Sequence, residues 1–252
     1  MPFVDLHGAK IRYREAGAGG GAPPVLFLHG AAASSALWLT TLHRVARVRR
    51  AVAFDVPAHG RSTGEAANFD DWLAAAGATA GALCLGRAVL VGHSLGGLVA
   101  LAAALAWPER VAGLVLVTTA AALKVSPRLL EKIASDWGNW PEFVQNLSYS
   151  PEAQPETRRR SAGLAFVSDQ AQTLADFQSC LGFDASARLG EIACPTLVIA
   201  GAHDQMVPPK HAAALAAGIR DAKLVEIPRA GHFPMHESPD AFCAALLDHL
   251  GA

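Results

Sequence analysis

The chain reads as an α/β protein built on a mainly parallel sheet, with a helical insertion between two of its strands. Three observations predict this. Short apolar runs alternate with longer segments of helical period. Four of those runs, starting at Val25, Ala88, Val111 and Thr196, are apolar almost throughout, the pattern of strands covered by helices on both faces. One of them, Ala88–Val91, leads straight into Gly92-His93-Ser94-Leu95-Gly96-Gly97. A strand, sharp turn and helix in that order can hold a serine hydroxyl in a strained, exposed position above the sheet.

Taken in order, candidate strands are Lys10–Arg14, Val25–His29, Arg49–Asp55, Ala88–Val91, Val111–Val117, Thr196–Ala200 and Ala222–Ile227. The first alternates polar and apolar residues and fits an antiparallel edge. Helical patterns fall at Ser35–Ala46, Phe69–Leu85, Leu95–Ala106, Lys210–Ala217 and Pro239–Leu250. From about Ala120 to Gly190 the rhythm breaks, with Pro127, Pro141, Pro151 and Pro155 and no evident strand. Leu129, Leu130 and Ile133 share a helical face there. Leu164, Phe166 and Val167, then Leu174, Phe177 and Leu181, suggest two further helices. The expected division is a core of residues 1–120 and 189–252 with a helical cap over 121–188.

Composition narrows the class. Of 252 residues, 52% are apolar and 17% charged, which argues for a packed core and against disorder. With 21 basic and 22 acidic side chains the formal net charge is −1, and the longest basic run is Arg158-Arg159-Arg160. That is too weak a footprint for a nucleic-acid surface. The longest apolar run near the serine, Leu98–Ala106, is far short of a membrane span. Met1-Pro2-Phe3-Val4-Asp5 does not look like an export signal. Cys84, Cys180, Cys194 and Cys243 form no metal-like cluster and read as buried free thiols in a reducing compartment. A cytoplasmic location, no cofactor and no metal are therefore expected.

In a chain with 23 glycines, Gly-x-Ser-x-Gly alone says little. Its strand and helix context makes Ser94 the candidate nucleophile, with the helix N-terminus favouring developing negative charge. A serine hydroxyl needs a base. His232, in Gly231-His232-Phe233-Pro234 after the last core strand, would lie at the same sheet edge. His236 is the other histidine there and would point differently, and His93 is assigned a structural role. Asp204 ends the strand and loop beginning at Thr196, and would orient the imidazole and stabilise its cation. The order serine, aspartate, histidine is the one expected for this elbow. Backbone N–H groups of Leu95 and, after His29-Gly30, of Ala31 are the candidate oxyanion donors. His29 is expected to pin that loop and Ser34 or Ser35 to cap the next helix. Asp55 follows another strand, but in Asp55-Val56-Pro57-Ala58-His59-Gly60-Arg61-Ser62 its expected use is to bind backbone amides. Trp38, Trp137, Trp140, Phe143, Phe166 and Phe233 are the candidate pocket residues, with Phe177 also in the insertion.

These pieces together resemble the α/β-hydrolase superfamily, in particular its small cofactor-free esterases, enol-lactonases and carbon–carbon bond hydrolases. His29-Gly30, Asp55–Ser62, Gly92–Gly97, Pro108-Glu109-Arg110-Val111, Pro195–Asp204 and Gly231-His232 carry the resemblance. It implies an eight-stranded sheet with the second strand antiparallel, a helical cap, and a triad on Ser94, Asp204 and His232. A serine rather than an aspartate at the elbow weighs against epoxide hydrolase and haloalkane dehalogenase chemistry. The expected function is hydrolysis of a small carboxylic ester or lactone through an acyl-enzyme, with a small-molecule ester, lactone or related carbonyl substrate as partner and neither nucleic acid nor membrane. Cleavage of a carbon–carbon bond in a vinylogous diketone, or another acyl-transfer or lyase reaction, is the alternative within the fold. A binding protein without catalysis is the remote one.

Overall fold

The computed structural model describes residues 2–6, 8–18 and 20–252. Eight strands form one sheet: β1 (Phe3–Leu6), β2 (Ala9–Ala16), β3 (Val25–Leu28), β4 (Ala51–Phe54), β5 (Ala88–His93), β6 (Val111–Val117), β7 (Thr196–Gly201) and β8 (Lys223–Ile227). Their spatial order is β1-β2-β4-β3-β5-β6-β7-β8. β2 runs antiparallel to both β1 and β4, and every other pair is parallel. The protein thus has the eight-stranded, mainly parallel architecture that the resemblance implies. β1 was not expected from the apolar pattern, because its four residues are alternately exposed and half-buried.

The helices are α1 (Leu39–Val45), α2 (Phe69–Ala82), α3 (Leu95–Ala106), α4 (Pro127–Ser135), α5 (Trp140–Ser148), α6 (Pro155–Ala165), α7 (Gln170–Ser179), α8 (Pro209–Gly218), α9 (Pro234–Glu237) and α10 (Pro239–Leu250). The expected helix Ser35–Ala46 divides into a 3-10 turn, Ser35–Trp38, capped by the Ser34 side chain, and then α1.

The central strands are apolar throughout because both faces are covered. Leu26, Leu28, Val52, Phe54, Leu90, Leu114, Leu116 and Val198 point into one core, with α2, α3 and α8. Val25, Phe27, Ala51, Ala53, Val89, Val91, Val115, Leu197 and Ile199 point into the other, with α1 and α10. Successive residues face opposite ways, so a doubly covered strand needs apolar residues at every position.

α4–α7 lie between β6 and β7 and have their own apolar cluster, centred on Leu129, Ile133, Trp140, Val144 and Phe177. Three of the four prolines that interrupt this region mark helix starts, while Pro151 lies in a turn: Pro127 and Pro155 open α4 and α6, and Pro141 is the second residue of α5. The missing proline N–H has no intrahelical acceptor at that position in any case. Phe166 and Val167 fall just beyond α6, not within a helix. The buried face of α7 is Thr173, Asp176 and Phe177, followed by Cys180, whereas Leu181 is 54% exposed. Among the described residues no helix is long and apolar enough to cross a membrane.

Candidate active site

The register of the parallel strands brings their C-terminal ends level: His93 pairs with Val117, Val117 with Ile199, and Gly201 with Ile227. Ser94, Thr118, Asp204 and His232 therefore all emerge at one edge, where open parallel sheets place their ligand sites.

Ser94 occupies a backbone conformation rare for a side-chain-bearing residue, φ 52° and ψ −118°. Its N–H donates to the Val117 carbonyl at 3.0 Å, and its carbonyl accepts from the Thr119 hydroxyl at 2.8 Å. Tight packing enforces the turn: a methyl group added at Gly92 would sit 2.2 Å from the Gly96 carbonyl oxygen. Strain of this kind persists only where the surroundings over-determine it.

His232 Nδ1–H donates to Asp204 Oδ2 at 2.7 Å, and both side chains are buried. The other carboxylate oxygen of Asp204 accepts the N–H groups of Met206 and Val207 at 2.8 and 2.9 Å, fixing its plane. The His232 main chain is held from both sides. Its N–H donates to the Ser148 carbonyl at 2.6 Å. Its carbonyl accepts from His93 Nε2–H at 2.9 Å and from the Thr118 hydroxyl at 3.0 Å. Burial, then the neighbouring His232, keeps the His93 pKa well below the ordinary histidine value. His93 is thus a neutral structural donor, in line with its expected role.

Ser94 and His232 share the wall of a cavity of about 320 Å³. Leu123, Val125, Leu129, Leu147, Phe177, Met206 and Val207 make most of its wall apolar, with Gln205, Ser126 and Lys124 as its polar elements. None of Trp38, Trp137, Trp140, Phe143, Phe166 and Phe233 is among its lining residues. Trp38 is completely buried against Phe27 and Phe242. Trp137 and Phe143 pack on the buried Trp140, and Phe166 and Tyr149 on Phe233 behind the His232 loop. The insertion needs a core of its own, and large aromatic surfaces serve that core before they serve a cavity. Of the aromatics expected to face the pocket, Phe177 does so.

The loop after β3 lies against the serine. A methyl at Gly30 would stand 2.7 Å from His93 Nδ1 and 3.1 Å from Ser94 Cβ. This places Ala31 next in the chain to a residue in contact with the elbow. Leu95 opens α3, where the first N–H groups have no intrahelical acceptor. His29 pins its loop as expected: Val56 N–H donates to Nε2 at 3.1 Å, and Nδ1–H donates to the Gly30 carbonyl at 2.9 Å. Burial, then the charge of His59, draws the His29 pKa down to about 4. Asp55 binds backbone amides, those of Ser35 at 2.7 Å and Arg61 at 3.0 Å. His236 is turned away, donating to the Leu37 carbonyl and accepting from Ser161.

Three further residues bear on the site. Thr118 has φ 44° and holds the His232 carbonyl. Glu237 accepts the N–H groups of Gly231 at 3.0 Å and Phe233 at 3.1 Å, on either side of His232. Asp176, from α7, reaches the loop after β3. Glu237 leaves a sequence signal, a carboxylate close behind the apolar run Phe233-Pro234-Met235, whereas Asp176, which shares its buried face with the polar Thr173, leaves none.

A parallel sheet with one antiparallel strand near its edge, a strained serine between strand and helix, and a buried aspartate–histidine pair define a hydrolase scaffold. The chain belongs to the alpha/beta hydrolase family, whose model matches residues 25–245. It is 31% identical over 247 residues to RutD of Agrobacterium fabrum, to which carbamate hydrolysis is provisionally ascribed; the match covers 91% of this chain and 93% of the relative. Among solved structures it resembles a thermophilic esterase at 30% identity and a TM-score of 0.86, covering 99% of this chain and 96% of that one. It also shares the fold of the enol-lactonase from Burkholderia xenovorans LB400, at 23% identity, a TM-score of 0.91 and full coverage of both chains.

Proposed function

We propose that the chain is a serine hydrolase that cleaves a small carboxylic ester or lactone through an acyl-enzyme intermediate. Its main support is the buried 2.7 Å bond between His232 and Asp204, with Ser94 on the wall of the cavity that His232 also lines. Ser94 Oγ attacks the substrate carbonyl carbon and its proton passes to His232 Nε2, the nitrogen left free by the bond to Asp204. The oxyanion is held by the N–H groups of Ala31 and Leu95. Collapse expels the alkoxide, which takes the proton from His232; in a lactone it remains tethered to the acyl group. Water, deprotonated by His232, then attacks the acyl carbon, Ser94 is reprotonated, and the carboxylic acid leaves.

Residues 121–188 act as a cap over a core of 1–120 and 189–252. A cavity of about 320 Å³ with mainly apolar walls suits a small acyl group. Cys84, Cys180, Cys194 and Cys243 are free, in keeping with a cytoplasmic location, although Cys84 is exposed and Cys194 half-buried where burial of all four was expected.

The test pairs a serine-directed fluorophosphonate with a substrate panel of matched esters, lactones, carbamates and vinylogous diketones. Labelling and ester or lactone turnover, both lost in Ser94→Ala, are expected. An unlabelled wild type would sink the nucleophile assignment. Cleavage of diketones or carbamates with esters and lactones left intact would replace the substrate class.

A further inference from the structure

The loop that carries Ala31 is held from the helical insertion. Ala32, the next residue, has φ 59°, a left-handed conformation that disfavours a side chain. Both of its polar backbone groups are engaged by one segment. Its N–H donates to Asp176 Oδ2 at 2.7 Å, across 144 positions of sequence. Its carbonyl accepts from Val167 N–H at 2.8 Å and Ser168 N–H at 3.2 Å. The Asp176 side chain is completely buried and aimed by two other donors. Gln172 donates to Oδ1 at 2.8 Å, and His59 Nε2–H to Oδ2 at 2.8 Å. His59 Nδ1–H also donates, to the Pro57 carbonyl at 2.9 Å. With both ring nitrogens facing oxygen acceptors, His59 is the imidazolium and Asp176 its buried counter-ion.

We propose that Asp176 is a positioning residue: clamped by the buried His59 cation, it sets the peptide between Ala31 and Ala32, and so the aim of the Ala31 N–H at the oxyanion. The inference rests on the serine-hydrolase mechanism proposed above. Gly30 abuts Ser94 on one side of Ala31, and Ala32 is fixed on the other. The Ala31 N–H belongs to the Gly30–Ala31 peptide, whose carbonyl accepts from His29 Nδ1–H at 2.9 Å, and the fixed Ala32 limits the Ala31 torsions that could tilt it. A donor aimed at a charge that develops only in the transition state changes kcat more than KM.

Two double variants isolate the effect at constant charge. His59→Gln with Asp176→Asn keeps an acceptor for Ala32 N–H, and His59→Gln with Asp176→Ala removes it. Competent sites are counted by fluorophosphonate titration and kcat is expressed per titrated site. The asparagine variant is expected to turn over about ten-fold faster than the alanine variant at similar KM, less than the loss seen when an oxyanion donor is deleted outright. If the alanine variant does not fold, Asp176→Leu, which fills the space without accepting, replaces it. Equal kcat per site, or a difference confined to KM or thermal midpoint, would make Asp176 purely structural and overturn the proposal. A wild type that is not labelled at Ser94 removes the mechanism itself, and the inference with it.

Discussion

Glu237 Oε1 accepts the backbone N–H of Gly231 at 3.0 Å, one residue before His232, and its Oε2 accepts Ser150 N–H at 2.8 Å. One carboxylate thus ties the His232 loop to the segment following α5. Burial raises the Glu237 pKa, against the lowering effect of three backbone donors. In Glu237→Gln an amide NH2 replaces one acceptor and faces a backbone N–H. The expected cost is about 1–3 kcal/mol of folding stability, read from urea denaturation, with a lower kcat.

Asp204 accepts from His232 Nδ1–H with one oxygen and from two backbone N–H groups with the other. Asp204→Asn keeps the shape but can turn an NH2 group toward His232, favouring the tautomer protonated on the wrong nitrogen. Ester turnover is expected to fall by about 1,000- to 10,000-fold with little change in thermal midpoint. A loss under about tenfold would count against Asp204 as the orienting acid.

His59 supplies a pH test. Burial opposes its charge, but Asp176, the Pro57 carbonyl and Asp55 outweigh it and raise its pKa above 6.5. A histidine with a raised folded-state value contributes stability that is fully present below pH 6.5 and is lost as pH rises through the raised value. His29, the titratable ring beside it, is drawn down to about 4 and does not titrate in that window. Wild-type stability relative to His59→Gln should therefore decline above about pH 6.5, by up to about 1.4 kcal/mol per pH unit. Urea melts of both proteins between about pH 6 and 9 measure it; a constant difference would mean that folding leaves the His59 pKa unshifted, and a difference that grows with pH would mean that His59 is held neutral.

Leu147 lines the cavity beside Ser94. Leu147→Phe should shorten the acyl chain the site accepts. Against a series of p-nitrophenyl esters, kcat/KM for longer chains is expected to fall about ten-fold or more while the acetate changes little, since a single methylene is worth that much in a fitted pocket. A uniform fall along the series would place the acyl group elsewhere.

The sheet and the residues at its C-terminal edge were legible because one-dimensional signals report them directly. Unbroken apolar runs mark doubly covered strands, and Ser94 and Asp204 each follow such a run, while His232 follows the last strand, an edge strand that carries Lys223 and Glu226. Side-chain environment is less legible. Trp38 and Trp140 carry the same apolar signal whether they wall a cavity or fill a core, and both fill a core. The stripe Leu174, Phe177, Leu181 is an acceptable helical face by hydrophobicity. The buried face instead includes Thr173 and Asp176, because the charge of Asp176 is met by His59 from a distant loop. Pairing across that distance leaves no periodic trace.

The strand order also bears on how the molecule assembles. Each parallel pair needs a crossover, and the one from β6 to β7 spans residues 118–195. Closing a loop of that length precedes any reward from pairing, which puts this topology at the slow end of folding rates. The serine elbow depends on β3, β5 and β6, whereas Asp204 and His232 wait for β7 and β8. A refolding chain should regain its sheet signal before its hydrolytic competence, and the interval between them would time the docking of the inserted helices.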